Sequence, residues 1–145
     1  MNLKKPSFVT RKKARRHVLQ ALYGWLLSDN DISTIERYVL EEHAEEDFDR
    51  EYFKELLHDI PKQVHGLDSL MSPFLSRKLE DLSPVELTIL RISIYELKER
   101  TDIPYKVVIN EGLELAKTFA ASDSHKFVNG VLDKVAKQLR ASEIQ

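Results

Sequence analysis

Ser83-Pro84-Val85-Glu86-Leu87-Thr88-Ile89-Leu90-Arg91-Ile92-Ser93-Ile94-Tyr95-Glu96-Leu97 is the stretch whose reading decides the fold. Ser83 can cap a helix, Pro84 takes the first helical position, where no amide hydrogen is needed, and Glu86 can close a capping box. Behind that start signal, Val85, Leu87, Ile89, Leu90, Ile92, Ile94, Tyr95 and Leu97 leave almost no polar face. A helix that is apolar nearly all round belongs at the centre of a helical packing unit. Arg91 is the odd residue, and its expected role is a part-buried structural pair with a carboxylate.

Outward from this helix the apolar residues keep recurring at three and four rather than at two, and only four glycines and five prolines interrupt them. The chain therefore reads as all-α, with about seven helices. The first helix is expected to start after Thr10, a good N-cap residue, and to end near Ser28. Its apolar stripe is Ala14, Val18, Ala21, Leu22, Trp25 and Leu26. A short helix follows around Ser33–Leu40, then a polar, acidic loop over Glu41–Asp49. A third helix carries Phe53, Leu56, Leu57, Ile60 and Val64, and Pro61 should kink or end it. A shorter helix bears Leu67, Leu70, Met71 and Leu75, interrupted by Pro73. After the central helix, Thr101-Asp102-Ile103-Pro104 breaks the chain and opens a helix that buries Tyr105, Val108, Ile109, Leu113 and Ala116. Ser122 or Ser124 should cap the last one, packed through Val128, Val131, Leu132, Val135 and Leu139. Two small antiparallel helical subdomains result, 1–66 with a basic arm and 67–145, and the cleft between them is a natural place for a ligand or partner.

At 145 residues the chain can bury roughly 68–70% of its unfolded surface, enough for a real core. Its 42% apolar and 32% charged composition is that of an ordinary globular protein. The absence of cysteine removes disulfides, thiolate metal sites and cysteine nucleophiles together, and fits a reducing cytoplasm. No apolar run approaches the roughly 20 residues that span a bilayer, and the basic N-terminus lacks the apolar region of a secretory signal.

Net charge is only −2, but it is unevenly spread. The first sixteen residues hold seven bases and no acid: Lys4, Lys5, Arg11, Lys12, Lys13, Arg15 and Arg16. Between Asp29 and Asp59, twelve acids face only Arg37, Arg50 and Lys54. Separated poles orient an incoming polyanion toward one face. A charge run is more often a solvated tail, but here the bases continue into an amphipathic helix, which presents them in fixed positions.

Catalytic chemistry finds no foothold. The five histidines (His17, His43, His58, His65 and His125) include no His-x-x-x-His pair, so metal binding has little support. The acid pairs Glu41/Glu42 and Glu45/Glu46 sit in a charged loop where nothing would raise one carboxylate's pKa. Glycine-rich phosphate loops are absent, and Ser124 and His125, as helix neighbours, point in different directions.

Binding features are better represented. Arg11 and Arg15 share one helix face and Lys12 and Arg16 another, with four residues rising about 6 Å, comparable with phosphate spacing in an extended strand. Gln20 and Tyr23 follow, offering an amide and a ring; periodicity equally allows Tyr23 to be a core aromatic with its hydroxyl at the surface. A second constellation is Ser122-Asp123-Ser124-His125-Lys126-Phe127-Val128-Asn129-Gly130. Phe127 falls at the edge of the buried face, between Lys126 and Asn129. Spacing leaves it open between a base-stacking platform, worth roughly 1–3 kcal/mol, and a core-rim residue beside an Asn129-Gly130 pair that permits close helix packing. The helix N-terminus also supplies amide donors for a phosphate.

These segments resemble the NusB family of bacterial transcription antitermination factors. The matching strings are Arg15-Arg16 followed by Leu19-Gln20-Ala21-Leu22-Tyr23, Ile89-Leu90-Arg91-Ile92 with Tyr95-Glu96-Leu97, and Ile103-Pro104-Tyr105-Lys106-Val107-Val108-Ile109-Asn110-Glu111 with Glu114-Leu115-Ala116-Lys117. Asp123-Ser124-His125-Lys126-Phe127-Val128-Asn129-Gly130-Val131-Leu132-Asp133 completes them, so the resemblance runs in order along nearly the whole chain. It implies an all-helical, noncatalytic, cytoplasmic protein without cofactor. It implies binding to the boxA element of nascent single-stranded RNA together with NusE, a ribosomal small-subunit protein. It also implies joining the other Nus factors on RNA polymerase, notably in ribosomal RNA operons. By the same resemblance, RNA contacts map to Arg11, Lys12, Lys13, Arg15, Arg16 and Gln20, and to Asp123, Lys126, Phe127 and Asn129. The NusE-facing surface maps to Tyr23, Glu80 and Glu86.

The chain departs from the family pattern in places. Lys12-Lys13 replaces part of an arginine run and binds phosphate without a bidentate fork. Arg16 stands where an acid is frequent, which should raise nonspecific affinity, and Ala120-Ala121 replaces a glycine-containing turn. Two other readings compete: an RNA-recognition domain related to that of ribosomal RNA cytosine methyltransferases, and a homo-oligomeric interaction protein whose same faces bury each other. The free chain is expected to be a monomer or a homodimer. The adaptor reading also expects the cationic opening turns and the Asp123–Asn129 stretch to share one side of the molecule.

Overall fold

The computed structural model describes residues 7–144. Among them are seven α-helices and two short 3-10 turns, with no strand. The basic residues Lys4 and Lys5 lie outside the described residues. The chain divides into two compact units, one running to Pro61 and the other starting at Lys62. No helix among the described residues is long and apolar enough to cross a membrane.

The first unit holds α1 (Phe8–Leu27), α2 (Ile32–Glu42) and nearly all of α3 (Arg50–Lys62). α1 starts three residues earlier than its sequence suggests, because Ser7 rather than Thr10 is the cap. The Thr10 amide donates to Ser7 Oγ at 3.1 Å and the Ser7 amide donates to Thr10 Oγ1 at 2.9 Å, a reciprocal box that satisfies two otherwise orphaned donors. Thr10 is therefore inside the helix, and Arg11 to Lys13 are fixed in helical geometry. α2 is capped by Asp31, which accepts from the Thr34 amide at 2.8 Å. Asp49 begins α3 by accepting from the Tyr52 amide at 3.0 Å, while its own amide donates to the Thr10 carbonyl at 3.1 Å, tying this helix start to α1. α3 ends one residue beyond Pro61, where the missing amide hydrogen costs a bond only in the last turn. Ala14, Val18, Ala21 and Leu22 of α1 are buried, as are Tyr52, Phe53, Leu56, Leu57 and Ile60 of α3.

The second unit holds α4 (Val64–Met71), 3-10 turns at Ser72–Phe74 and Leu79–Asp81, and then α5 (Pro84–Glu99), α6 (Tyr105–Phe119) and α7 (Ser124–Leu139). α5 is its centre and touches α4, α6 and α7. Six consecutive residues, Ile92 to Leu97, are buried, which only a helix surrounded on all sides can achieve. Its start is the expected box: the Glu86 amide donates to Ser83 Oγ at 3.1 Å and the Ser83 amide to Glu86 Oε1 at 3.3 Å. Arg91 meets Asp68 of α4 through two parallel bonds of 2.9 and 2.8 Å, so the one basic residue amid the apolar run of this helix has its carboxylate.

Two further details depart from expectation. Neither Ser122 nor Ser124 caps α7; Asp123 occupies the cap position without a side-chain bond, and the Ser124 hydroxyl instead serves the Glu86 carboxylate. The glycine that allows close packing is Gly112 rather than Gly130. A Cβ at Gly112 would lie 2.6 Å from Ser93 Oγ and 3.1 Å from Leu132 Cδ1, whereas Gly130 faces open space. The buried end of α5 is closed by Arg140, just past α7. Its guanidinium donates to the carbonyls of Leu97 (2.8 Å), Ile103 (2.9 Å), Arg100 (3.0 Å) and Glu96 (3.3 Å) and to Glu143 at 2.7 Å. Glu143 in turn accepts from the Tyr105 amide at 3.0 Å, capping α6.

Two outcomes follow from these end closures. Arg140→Ala strands buried carbonyls at the end of α5 and should cost about 3–5 kcal/mol, with Arg140→Lys recovering only part of it, since an ammonium lacks the fork. Urea denaturation measures both, and a loss below about 1 kcal/mol for the alanine variant would refute the assignment. The second outcome concerns acid. Burial by itself would raise the Glu86 carboxyl, but bonds from Ser124 and the Ser83 amide, with Arg77 nearby, outweigh it and hold the group below its ordinary value. A depressed folded-state pKa stabilises above the unfolded value of about 4.3, and that stability is lost as pH falls through the folded value. Glu86→Gln should therefore flatten the acid limb of a stability–pH profile as pH falls below the ordinary glutamate range; an unchanged limb would show that Glu86 contributes nothing to it.

Candidate nucleic-acid interface

α1 sorts its cations by depth. Arg15 is only 2% exposed, with its guanidinium 5.5 Å from the centre of the Tyr52 ring. Arg11, half-buried, lies over the same ring at 4.4 Å, and its Nε is 3.6 Å from Asp49 Oδ2. The face shared by Arg11 and Arg15, expected to meet phosphate, thus turns toward Tyr52 of α3. Aromatic and carboxylate partners make that arrangement tolerable for buried charge. Arg15, mapped by resemblance to the RNA contacts, is thus packed inward and does not stand on the solvent face of α1.

The other face of α1 is the accessible one. Lys12 and Lys13 are half-buried, with the Lys12 ammonium 5.5 Å from the Phe8 ring, while Arg16 and Gln20 are exposed. Tyr23 is 37% exposed, so it is not the core aromatic that periodicity equally allowed. Spacings of three and four put Lys13, Arg16, Gln20 and Tyr23 on one ridge. From Lys12 to Tyr23 the helix rises about 16 Å, with cations at one end and an amide and a ring at the other.

In the second unit the outward line at the start of α7 is Asp123, Lys126 and Asn129, all exposed. The Lys126 ammonium stands 3.7 Å from the Asp123 carboxylate with both side chains largely in solvent, a pair worth little. Phe127 is half-buried, and the Arg77 guanidinium lies 4.2 Å from its ring centre. Arg77 also stands 3.5 Å from both Glu86 oxygens. Composition and spacing passed over Arg77, since it comes from an irregular segment with no periodicity to flag it. It adds a half-exposed cation and a flat stacking surface to the Phe127 edge.

Glu86, mapped by resemblance to the NusE-facing surface, is buried. It is 5% exposed, and its carboxylate is occupied by the Ser83 amide, Ser124 and Arg77. Charge reversal there would break a buried cap rather than leave the fold intact. Glu80, in the turn Leu79–Asp81, is exposed.

One titratable cluster joins α1 to the turn after α2. His17 Nε2 and His43 Nδ1 both meet Glu46 Oε2, at 3.1 and 3.0 Å. Burial holds the His17 imidazole below its ordinary pKa although the bond to Glu46 pulls the other way.

Known proteins resemble this chain in both sequence and fold. The family model described as the NusB family matches residues 12–137. The transcription antitermination protein NusB of Edwardsiella ictaluri is 57% identical over 130 residues, covering 90% of this chain and 94% of the relative. That of Serratia proteamaculans is 58% identical over the same shares. Among solved structures, NusB of T. maritima superposes with a TM-score of 0.76 at 34% identity, covering 94% of each chain. A chain in a crystal structure of the antitermination factors NusB and NusE with double-stranded RNA gives a TM-score of 0.82 at 29% identity, covering 91% of this chain and 99% of that one. Antitermination proteins thus match the chain along nearly its full length, in sequence and in the course of its helices, and it belongs to the NusB family.

Proposed function

We propose that this chain is a noncatalytic RNA-binding antitermination factor that binds boxA RNA together with NusE. In this reading it joins the other Nus factors on RNA polymerase, notably during transcription of ribosomal RNA operons. The observation that carries the proposal is the outward ridge of α1, where Lys12, Lys13, Arg16 and Gln20 reach solvent while Arg15 does not. The solved complex of a related NusB with NusE and RNA supports the choice of partners. Cations on the ridge supply sequence-independent affinity through counterion release. Base preference comes from Gln20 and from the Phe127 edge with Lys126, Asn129 and Asp123, where the Arg77 guanidinium and the ring offer flat faces to an unstacked base. Tyr23 and Glu80 contribute to the NusE-facing surface, and Glu86 acts behind it by holding Ser83, Ser124 and Arg77 in place.

The test is a salt-dependent titration of boxA RNA against a scrambled strand and a duplex, with and without NusE. Each phosphate neutralised on a single strand contributes about −0.7 to the slope of log K against log salt. Arg16→Ala should flatten that slope by about 0.7 and the Lys12/Lys13/Arg16 triple alanine variant by about 2. Arg15→Ala should lower thermal stability and leave the slope alone. Phe127→Ala should narrow the ratio between boxA and scrambled RNA, by up to the roughly 1–3 kcal/mol of one stacked base. A slope untouched by the triple variant would remove α1 from the RNA contact.

A further inference from the structure

The cluster of His17, His43 and Glu46 has no part in the proposed RNA contact. We propose that these three side chains form a binding site for a late first-row divalent metal ion, with Zn2+ as the natural probe. Their donor atoms, His17 Nε2, His43 Nδ1 and Glu46 Oε2, all lie within 4.8 Å of one another, and each nitrogen is 3.0 or 3.1 Å from the shared oxygen. Zinc bonds of about 2.0–2.2 Å in tetrahedral geometry place neighbouring donors about 3.3–3.5 Å apart. Each nitrogen–oxygen separation is therefore within a few tenths of an ångström of that spacing. Two imidazoles and one carboxylate are also the donor set borderline cations prefer, and calcium or magnesium would ask for more oxygen.

The surroundings hold the triangle in place. His17 comes from the middle of a 20-residue helix and is 7% exposed. His43 ends α2, and Glu46 follows in the turn after it. That turn is pinned by one Arg50 nitrogen, which donates to the carbonyls of His43 (3.2 Å), Ala44 (3.2 Å) and Glu46 (3.0 Å). Phe48 packs edge-on against His17 with ring centres 4.7 Å apart, and the Arg50 guanidinium lies 4.3 Å from the Phe48 ring centre, so the aromatic wall is itself held. The His17 and His43 rings lie 4.0 Å apart, tilted by 32°, which sets the two imidazoles side by side at the shared carboxylate oxygen. His43 Nε2 is buried without a hydrogen-bond partner, so no polar contact at that atom holds the ring against a small adjustment. Glu42 adds negative charge near His17. The His43 and Glu46 side chains remain 23% and 30% exposed, which leaves water room to supply a fourth ligand.

Sequence scatter concealed this site: the histidines are 26 positions apart, so no local spacing marks them. Among the described residues no other three histidine, cysteine or acidic side chains converge in this way. His58 and Glu36, paired at 2.8 Å, lack a third donor and serve as an internal control. Bound metal would fasten α1 to the turn after α2, and by mass action would raise the unfolding temperature of the folded chain.

The experiment uses the full chain, stripped with a chelator and titrated with Zn2+ alone by calorimetry, with Co2+ absorption reporting the coordination geometry. The expected result is saturable 1:1 binding, a Zn2+-dependent rise in unfolding temperature, and visible Co2+ bands of a four-coordinate nitrogen–oxygen site. His43→Gln and Glu46→Gln, both at half-buried positions, should weaken Zn2+ binding by at least about tenfold, the scale set by even outer-shell losses at metal sites. Both variants should still unfold cooperatively in chelator, and His58→Gln should bind Zn2+ as wild type does. Absence of saturable binding would overturn the site. So would wild-type affinity in both ligand variants, or an equal loss in His58→Gln, which would mark the binding as adventitious.

Discussion

A helix buried on every side must have both of its ends satisfied from within the protein, and that constraint organises the second unit. α5 gives up its solvent face along Ile92–Leu97, so the carbonyls of Glu96 and Leu97 need partners from within the protein. At the start, Ser83 and Glu86 exchange bonds with each other's amides. At the end, one guanidinium gathers four carbonyls, and the carboxylate that balances it caps the next helix. Arginine suits this place because its donors form a fixed planar fork that reaches several carbonyls at once.

The buried acid at the start of α5 reaches the surface indirectly. Glu86 accepts from Ser83 and Ser124 and attracts Arg77, whose guanidinium then lies over Phe127. A capping residue and the polar rim of α7 thus belong to one network. The loss of Ser124 as a cap follows from this: its hydroxyl stabilises a buried carboxylate more than it would an exposed helix start. Substitution at Glu86 would accordingly be felt at Phe127 without Glu86 touching any ligand.

Legible in the sequence was whatever depends on neighbours along the chain. The α5 start box needs only Ser83, Pro84 and Glu86, and the helix's central position needs only its own apolar residues. Arg91 announced a partner by standing alone among them, though Asp68 could not be named. Expectation and structure part where contact partners are far apart or where two residues of the same type compete. Thr10 is as good a cap as Ser7 by residue type, and only the geometry of the bonds between them decides. Gly112 and Gly130 look alike until Ser93 and Leu132 arrive beside one of them. Arg140, Arg77 and the His17–His43 pair carry no local pattern at all. The family resemblance supplied candidate positions for the surface, but resemblance transfers positions and not depth, which is why Arg15 and Glu86 came with it.

Depth also changes what the charge count means. Seven bases within the first sixteen residues suggest one broad cationic arm, yet among those the structure describes the roles divide by burial. Arg15 and Arg11 direct their charge against the Tyr52 ring, and Arg11 also against Asp49, holding α1 to α3. Lys12, Lys13 and Arg16 remain on the accessible side. A buried cation gathers no phosphate and releases no counterion when a strand arrives, so it adds nothing to salt-dependent affinity. Its effect is on geometry: by fixing the rotation of α1 about its own axis, the inward arginines decide that Arg16, Gln20 and Tyr23 point outward together. The outward ridge of α1 is therefore set by two kinds of arginine on one helix, one that meets solvent and one that keeps the first from turning away.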